Sequence, residues 1–147
     1  MNTYKIIKNK VKSLINSLKK YNNENEYFHE VRNNDREDSF KNCSKIEKAS
    51  RIIFLNRFCF DGLYRVNSEG YFNVPFGKYK NPKFYDEENL QAVNKALKNV
   101  DIYYGSFEKC LEFAERGDFI YFDPPYQPIS DTAYFTSYTK DNFGKKS

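Results

Sequence analysis

The hydrophobic positions in the first 60 residues recur at helical spacing. Residues 4–20, YKIIKNKVKSLINSLKK, predict an amphipathic helix whose apolar face carries Ile7, Val11, Leu14, Ile15 and Leu18. The pattern also predicts a short helix over Asn25–Arg32 and a longer one over Ile46–Phe58, although the run IIFL at 52–55 is compatible with a strand. The polar residues 33–44 predict a loop.

After residue 63 the pattern changes to short β-prone runs. Two such runs in the segment YRVNSEGYFNV flank Asn67-Ser68-Glu69-Gly70. A four-residue turn that ends in glycine between runs of this kind predicts a β-hairpin. The basic aromatic loop FGKYKN follows, between Pro75 and Pro82.

The last part of the chain alternates between helix and strand patterns. Asp86 is expected to cap a helix with Leu90, Val93, Ala96 and Leu97 on its inner face. DIYY at 101–104 and FIYF at 119–122 predict strands, with a helix over 107–116 between them. Because a βαβ unit has parallel strands, we expect an α/β fold whose sheet is covered on both faces.

Length and composition indicate one globular domain. The chain has 147 residues, of which 39% are hydrophobic and 18% aromatic, with no Trp, 13 Tyr and 14 Phe. Neither a membrane span nor a secretory signal is visible, so we expect a cytoplasmic protein without a membrane partner. Three widely spaced cysteines and a single histidine argue against a disulfide framework and a Cys/His metal site.

One stretch of the chain combines positive charge with many aromatic rings. The formal net charge is only +4, but residues 57–83 contain five basic and two acidic residues interleaved with seven aromatic ones. Such a segment can neutralise phosphates and wedge rings against bases. Arg65 is the best single candidate for base recognition, because a bidentate Arg to guanine is the commonest direct base contact. The alternative is an aromatic hairpin that only packs on its neighbours.

The sequence Asp123-Pro124-Pro125-Tyr126 ends the second predicted strand with a stiff turn. In α/β sheets, ligands bind just beyond the carboxyl ends of the strands. The Asp123 carboxylate and the Pro124 carbonyl could accept hydrogen bonds from an exocyclic amine such as that of adenine, and Tyr126 could stack on the base. A base in duplex DNA would have to be flipped out to reach this turn.

Residues 119–138, FIYFDPPYQPISDTAYFTSY, resemble the catalytic motif of the Dam-type (D12 class) N6-adenine-specific DNA methyltransferases. The resemblance implies that Asp123, Pro124, Pro125 and Tyr126 are catalytic. It also implies that S-adenosylmethionine is the cofactor, contacted by Asp123. Four residues of the following P-x-S-x-T and FT-x-Y stretches are expected to contact DNA: Ser130, Thr132, Phe135 and Tyr138.

Residues 51–82 resemble the DNA-recognition segment of the same family, with its G-L-x-R-x-N stretch and F-N-V-P-F-G ending. The resemblance implies that Arg65 contacts a base edge. Phe60, Asp61 and Leu63 would lie near an intercalating loop, and Asn67 and Pro75 would contact DNA. Asp61 replaces an Asn that is common in the family.

The resemblance implies a fold and a division of the chain. The expected fold is a partial Rossmann-like methyltransferase sheet with a helical plus β-hairpin DNA-recognition insertion. Residues 1–23 would be an amino-terminal helix of the catalytic domain, 24–84 the target-recognition segment, and 85–147 the catalytic α/β segment. The expected partner is double-stranded DNA, methylated at adenine N6, with GATC as the target implied by the hairpin.

The six glycines do not form the family's F-x-G-x-G cofactor motif, since no two are separated by a single residue. We therefore expect a fragment with weak or no methyl transfer alone, whose missing half could be a partner. Ser106 stands where an acidic residue could have aided the cofactor. The alternatives are a non-catalytic DNA-binding remnant and, less compatible with residues 51–82, a methyltransferase acting on RNA or on protein glutamine.

Overall fold

The computed structural model of the protein describes residues 2–80 and 84–123. Of these, residues up to 102 belong to one compact unit, called here the helical unit, and residues 103–123 belong to a second unit. The helical unit contains four α-helices: α1 (Asn2–Leu18), α2 (Asn25–Asn33), α3 (Lys45–Phe58) and α4 (Glu87–Ala96). These four helices confirm the four helical segments expected in the first 100 residues.

Helix α1 packs along α3 and α4 through the face that the sequence predicts. Ile7, Leu14, Ile15 and Leu18 are all buried. The helix is kinked at Lys10, whose backbone (φ −143°, ψ 37°) is not helical. A kink of this kind leaves carbonyl groups of the preceding turn without their helical partners.

Helix α3 lies in the middle of the helical unit and contacts both α1 and α2. Its run IIFL, 52–55, is helical, which settles the ambiguity left by the sequence. Two short 3₁₀ helices, Asn34–Arg36 and Asp38–Asn42, occupy much of the segment expected to be a loop.

The core of the helical unit consists of two adjoining groups of side chains. One joins α1 to α3 and α4, with Ile6, Ile7, Leu14, Leu18 and Ala49 buried. The other joins α2 and α3 to the segment that follows α3, and its buried members are Phe28, Val31, Phe54, Leu55, Phe58, Cys59, Phe72 and Val74. Phe84 packs against both groups.

Helix α4 begins as expected, because the Asp86 carboxylate accepts a hydrogen bond from the Asn89 backbone N–H at 2.9 Å. Leu90, Val93 and Leu97 pack against the α1 side of the core, whereas Ala96 is exposed. None of the helices in the described ranges is both long enough and apolar enough to cross a membrane.

The expected α/β fold is wrong for the described residues, which are mostly helical and form no sheet. Residues 101–104 and 119–122, expected as parallel strands, form no ladder, and the expected helix at 107–116 is a 3₁₀ helix, Phe107–Glu112. The physical reason is that β propensity measures how well a side chain fits a half-buried sheet surface, so it has no effect without neighbouring strands. Phe119 and Tyr121 are instead 91% and 78% exposed.

The expected β-hairpin insertion is wrong for the same reason. Between α3 and α4 the chain reverses at residues 67–70, but the described part of this segment forms only two isolated antiparallel bridges, Val66 with Phe72 and Cys59 with Phe76. The segment is therefore fixed by side-chain contacts and by single backbone hydrogen bonds rather than by a continuous ladder.

Candidate nucleic-acid interface

A tight turn follows α3 and presents two apolar side chains to solvent. Asp61 (φ 51°) and Gly62 (φ 63°) both adopt left-handed backbone conformations. A non-glycine residue rarely adopts this conformation, so the strain at Asp61 marks a constrained turn. On either side of it, Phe60 is 51% exposed and Leu63 is 38% exposed.

The turn is anchored to the core on both sides. The Phe60 N–H donates to the Pro75 carbonyl at 2.8 Å, and the Gly77 N–H donates to the Phe58 carbonyl at 2.7 Å. Between these bonds the Cys59 thiol is fully buried and donates to the Leu63 carbonyl at 3.1 Å. Burial raises the pKa of this thiol, so Cys59 is a structural residue rather than a nucleophile.

Arg65 is exposed, yet its guanidinium is held in place by Asn73. Arg65 Nε donates to Asn73 Oδ1 at 2.8 Å, and Arg65 Nη2 donates to the Asn73 carbonyl at 3.3 Å. The Asn73 N–H returns a bond to the Arg65 carbonyl at 3.1 Å. Two of the five guanidinium N–H donors are thus engaged, which leaves three for another acceptor.

Asn67, expected to contact DNA, has a structural role in the reversal of the chain. Its Oδ1 accepts from the backbone N–H of Glu69 at 3.1 Å and of Tyr71 at 2.9 Å, an Asx-type turn. Its backbone N–H donates to the Tyr71 carbonyl, and its carbonyl accepts from Gly70. Gly70 has φ 88°, a value that glycine adopts without strain.

A buried ion pair beneath this segment was not expected from the sequence. Arg51 of α3 and Asp35 have side chains that are only 5% and 11% exposed, and Arg51 Nη2 lies 2.8 Å from Asp35 Oδ2. Arg51 also donates to the carbonyls of Val31 and Arg32. The only signal in the sequence was a charged residue at 51 among apolar helix positions.

Asp35 connects this ion pair to the backbone of Phe72, the residue that precedes Asn73. Asp35 Oδ2 accepts from the Phe72 N–H at 3.0 Å, and Asp35 Oδ1 lies 2.9 Å from Arg36 Nη1. Arg36 Nη2 in turn donates to the Phe72 carbonyl at 3.3 Å. Both backbone polar groups of Phe72 are therefore bound by side chains of the 3₁₀ helix Asn34–Arg36, which follows α2.

A cleft of about 1270 Å³ opens beside the Asp61 turn. Its walls combine aromatic rings with charged groups; among the lining residues are Asn56, Arg57, Asp61, Tyr64, Tyr79, Lys80 and Tyr85. Lys78, Lys80 and Pro75 are exposed on the same segment of chain. Phe60, Leu63, Arg65 and Pro75, four of the expected DNA contacts, are therefore all accessible to solvent.

In the second unit, Asp123 is exposed and is the last described residue. The remaining expected site residues lie outside the described residues: Pro124, Pro125, Tyr126, Ser130, Thr132, Phe135 and Tyr138. A cavity of about 440 Å³ in this unit is lined by Tyr103, Ser106, Phe113, Phe119 and Ile120, among others. Within the described ranges no group of three or more His, Cys, Asp or Glu side chains could hold a metal ion.

Comparison with known proteins gives a consistent assignment. The family described as D12 class N6 adenine-specific DNA methyltransferase matches residues 1–147. The type II methyltransferase M.MjaIII of Methanocaldococcus jannaschii is 45% identical over 95% of this chain and 51% of its own length. The type II methyltransferase M1.LlaDCHI of Lactococcus lactis subsp. cremoris is 44% identical over 97% of this chain and 52% of its own.

The DNA adenine methylase of Salmonella typhi is 36% identical over 82% of this chain and 42% of its own length. The chain thus spans about half the length of the curated relatives that it matches. The family match extends over the whole chain, including the segment after α3 and the Asp-Pro-Pro-Tyr sequence. The chain belongs to the D12 class of N6 adenine-specific DNA methyltransferases.

Proposed function

We propose that this chain supplies the target-recognition and adenine-binding parts of an enzyme that transfers a methyl group from S-adenosylmethionine to adenine N6 in duplex DNA. The proposed target is GATC, and the proposed substrate is a base flipped out of the helix. Family membership and the arrangement of residues 58–80 support this proposal.

The observation that carries the proposal is the fixed but exposed guanidinium of Arg65. Asn73 binds its Nε and one Nη2 proton, so the far edge of the guanidinium is oriented before any ligand arrives. Guanine presents N7 and O6 as adjacent acceptors in the major groove, and a bidentate Arg matches them. A side chain oriented in advance loses less conformational entropy on binding.

The Asp61 turn provides a second element of the proposed interface. Phe60 and Leu63 protrude on either side of a strained backbone, and proteins that distort duplexes insert apolar side chains of this kind between base steps. Lys78 and Lys80, exposed nearby in sequence, would neutralise phosphates. Asn67 and Pro75 would contribute mainly by shaping the segment, through the bonds described above.

The chemistry at the adenine is assigned to residues 123–126. The Asp123 carboxylate and the Pro124 carbonyl would accept hydrogen bonds from the adenine amine, and Tyr126 would stack on the ring. S-adenosylmethionine supplies an activated sulfonium methyl group, so no strong general base is required. The proton can leave the amine after the methyl group has been transferred.

The residues lining the cavity of the second unit fit the adenosine part of the cofactor. Its volume lies in the range of small-molecule sites, and its walls offer rings for stacking and the Ser106 hydroxyl for a hydrogen bond. Asp123 is the proposed acidic contact of the cofactor. The described residues offer no glycine-rich loop for the methionine part.

Two measurements on the full chain test the proposal. Binding of a fluorescent 20-base-pair duplex that contains one GATC should weaken as salt rises, and it should be tighter than binding of duplexes altered at one base pair of the site. Arg65→Ala should abolish this preference. Lys12→Ala removes the same charge from an exposed position on α1 and should keep the preference.

Transfer of a labelled methyl group from S-adenosylmethionine to the GATC duplex is the second measurement. Asp123→Ala should abolish any transfer and leave duplex binding intact. A wild-type chain that binds all duplexes equally would contradict the assigned recognition role. A chain that prefers GATC but takes up no S-adenosylmethionine would be a DNA-binding remnant.

A further inference from the structure

The buried pair of Asp35 and Arg51 has no direct access to a DNA molecule, because both side chains are almost completely covered. Burying two charges is costly unless each is fully hydrogen-bonded, and such pairs contribute little net stability compared with apolar residues of similar size. Apart from the contact between Asp35 and Arg36, the hydrogen bonds of the pair lead to backbone groups or join the two charges to each other. The pair therefore fixes the relative position of several chain segments.

The segments that it joins converge on Arg65. Arg51 holds the end of α2 through the carbonyls of Val31 and Arg32, and Asp35 holds the Phe72 N–H. The residue that follows Phe72 is Asn73, whose side chain and carbonyl orient the Arg65 guanidinium. A continuous path of hydrogen bonds and one peptide link thus connects the buried pair to the exposed guanidinium.

We propose that Asp35, Arg51 and Asn73 are positioning residues for base recognition, which hold the Arg65 guanidinium at a fixed place and orientation on the surface. This inference rests on the proposed function, since it assigns a recognition role to Arg65. Asn73 acts directly on Arg65, and the ion pair acts through the backbone of Phe72. None of the three needs to contact a base.

Arg36 strengthens the same path. It binds the Phe72 carbonyl while it contacts Asp35, and its guanidinium lies 5.2 Å from the centre of the Tyr71 ring. The backbone of Phe72 is therefore bound from both its donor and its acceptor side. Phe72 is only 2% exposed, and the packing of its ring further fixes the position of the backbone that leads into Asn73.

The first test requires no DNA and so does not depend on the proposed function. The Arg65 Nε–Hε resonance, assigned by its loss in Arg65→Lys, should be sharp and protected in the wild-type chain, because Nε donates to Asn73. Asn73→Ala should broaden it or bring it into fast exchange with water. Asn22→Ala, at an exposed position between α1 and α2, should leave it unchanged.

The ion pair is tested with a double variant, because the single change Asp35→Asn would leave Arg51 buried without its counter-charge and would prevent folding. The double variant Asp35→Leu/Arg51→Met removes both charges together and should fold. It should still broaden the Arg65 resonance, because the Phe72 N–H has lost its acceptor. A folded double variant with an unchanged resonance would overturn the role of the pair.

The second test measures discrimination between duplexes that differ at one base pair of GATC. Asn73→Ala should reduce the preference about tenfold, at the same base pair at which Arg65→Ala reduces it. A variant that carries both Asn73→Ala and Arg65→Ala should lose no more of the preference than Arg65→Ala alone. If Arg65→Ala loses the preference and Asn73→Ala keeps it, the positioning role is wrong while the proposed function stands. If the wild-type chain shows no preference, the proposed function fails, and the recognition role of Asn73 fails with it.

Discussion

Ser44 and Glu47 cap the first turn of α3 reciprocally. The Ser44 hydroxyl accepts from the Glu47 N–H at 3.2 Å, and the Ser44 N–H donates to a Glu47 carboxylate oxygen at 2.8 Å. Two backbone donors that the helix cannot satisfy are therefore bound. Since α3 contacts both α1 and α2, the cap fixes the start of the central helix of the helical unit.

Removal of this cap should destabilise the protein. Ser44→Ala is expected to lower the free energy of unfolding by about 1 kcal/mol, because one helix donor loses its acceptor. Urea unfolding followed by circular dichroism measures the change. Ser68→Ala, at an exposed position in the chain reversal, should have little effect, and equal losses in the two variants would contradict the role of the cap.

The same cap predicts a dependence of stability on pH. Hydrogen bonds from the Ser44 side chain and backbone lower the pKa of the Glu47 carboxyl below its usual value of 4.5. The contribution of Glu47 to stability is therefore fully present above pH 4.5 and is lost as the pH falls through the lowered value of the folded state. The destabilisation caused by Glu47→Gln, measured by urea unfolding, should shrink as the pH is lowered through this range. A constant difference from pH 7 to pH 3 would exclude the linkage.

Asn94 of α4 stabilises the kink in α1. Its side-chain amide donates to the carbonyls of Ile7 at 2.8 Å and Lys8 at 2.7 Å, the turn that precedes the irregular Lys10. Asn94→Ala should lower the free energy of unfolding by about 1–3 kcal/mol, since two partly buried hydrogen bonds are lost. Thermal unfolding measures this effect.

Asn94→Asp provides a sharper version of the same experiment. It keeps the shape of the side chain but replaces the two donors by a carboxylate that faces two carbonyl oxygens, so it should destabilise at least as much as Ala. Gln91→Ala, on the exposed side of α4, is the matched control and should be nearly neutral. An Asp variant as stable as the wild type would show that the two hydrogen bonds do not hold the kink.

The helices could be predicted from the sequence because their signal is local. Amphipathic spacing places Leu14 and Leu18 on the buried face of α1, and Asp86 marks the start of α4 as expected. The strands could not be predicted in the same way, since FIYF at 119–122 carries β propensity but the described residues give it no neighbouring strand.

The contacts of Phe60, Leu63 and Arg65 with DNA stay predictions, and the structure shows only that these three side chains are exposed. The sequence does not show that Asn73 holds Arg65. The buried pair beneath was missed because Asp35 lies in a polar stretch expected to be a loop, 16 positions from Arg51. Contacts of this kind depend on how the helices pack and leave no periodic signal.

Gly77 occupies a position in which any larger residue would collide with backbone. A Cβ atom there would lie 2.8 Å from the Cys59 carbonyl oxygen and 2.5 Å from a Tyr79 ring carbon. The Gly77 N–H also donates to the Phe58 carbonyl, so the segment at Gly77 cannot move away from the end of α3 without losing that hydrogen bond. Gly77→Ala should therefore displace the end of the segment that carries Pro75 and Phe76.

Gly105→Ala is the matched control, because a Cβ there would meet only the flexible Lys109 side chain, at 3.2 Å. We expect Gly77→Ala to destabilise the protein by roughly 1–3 kcal/mol, as overpacking does, and Gly105→Ala to change stability by less than about 0.5 kcal/mol. Urea unfolding of both variants measures the difference. The Phe60 N–H donates to the Pro75 carbonyl, so displacement of Pro75 should also move Phe60, and the Gly77 variant should bind the GATC duplex more weakly. A Gly77 variant with wild-type stability and wild-type binding would show that the close approach to Cys59 is not required.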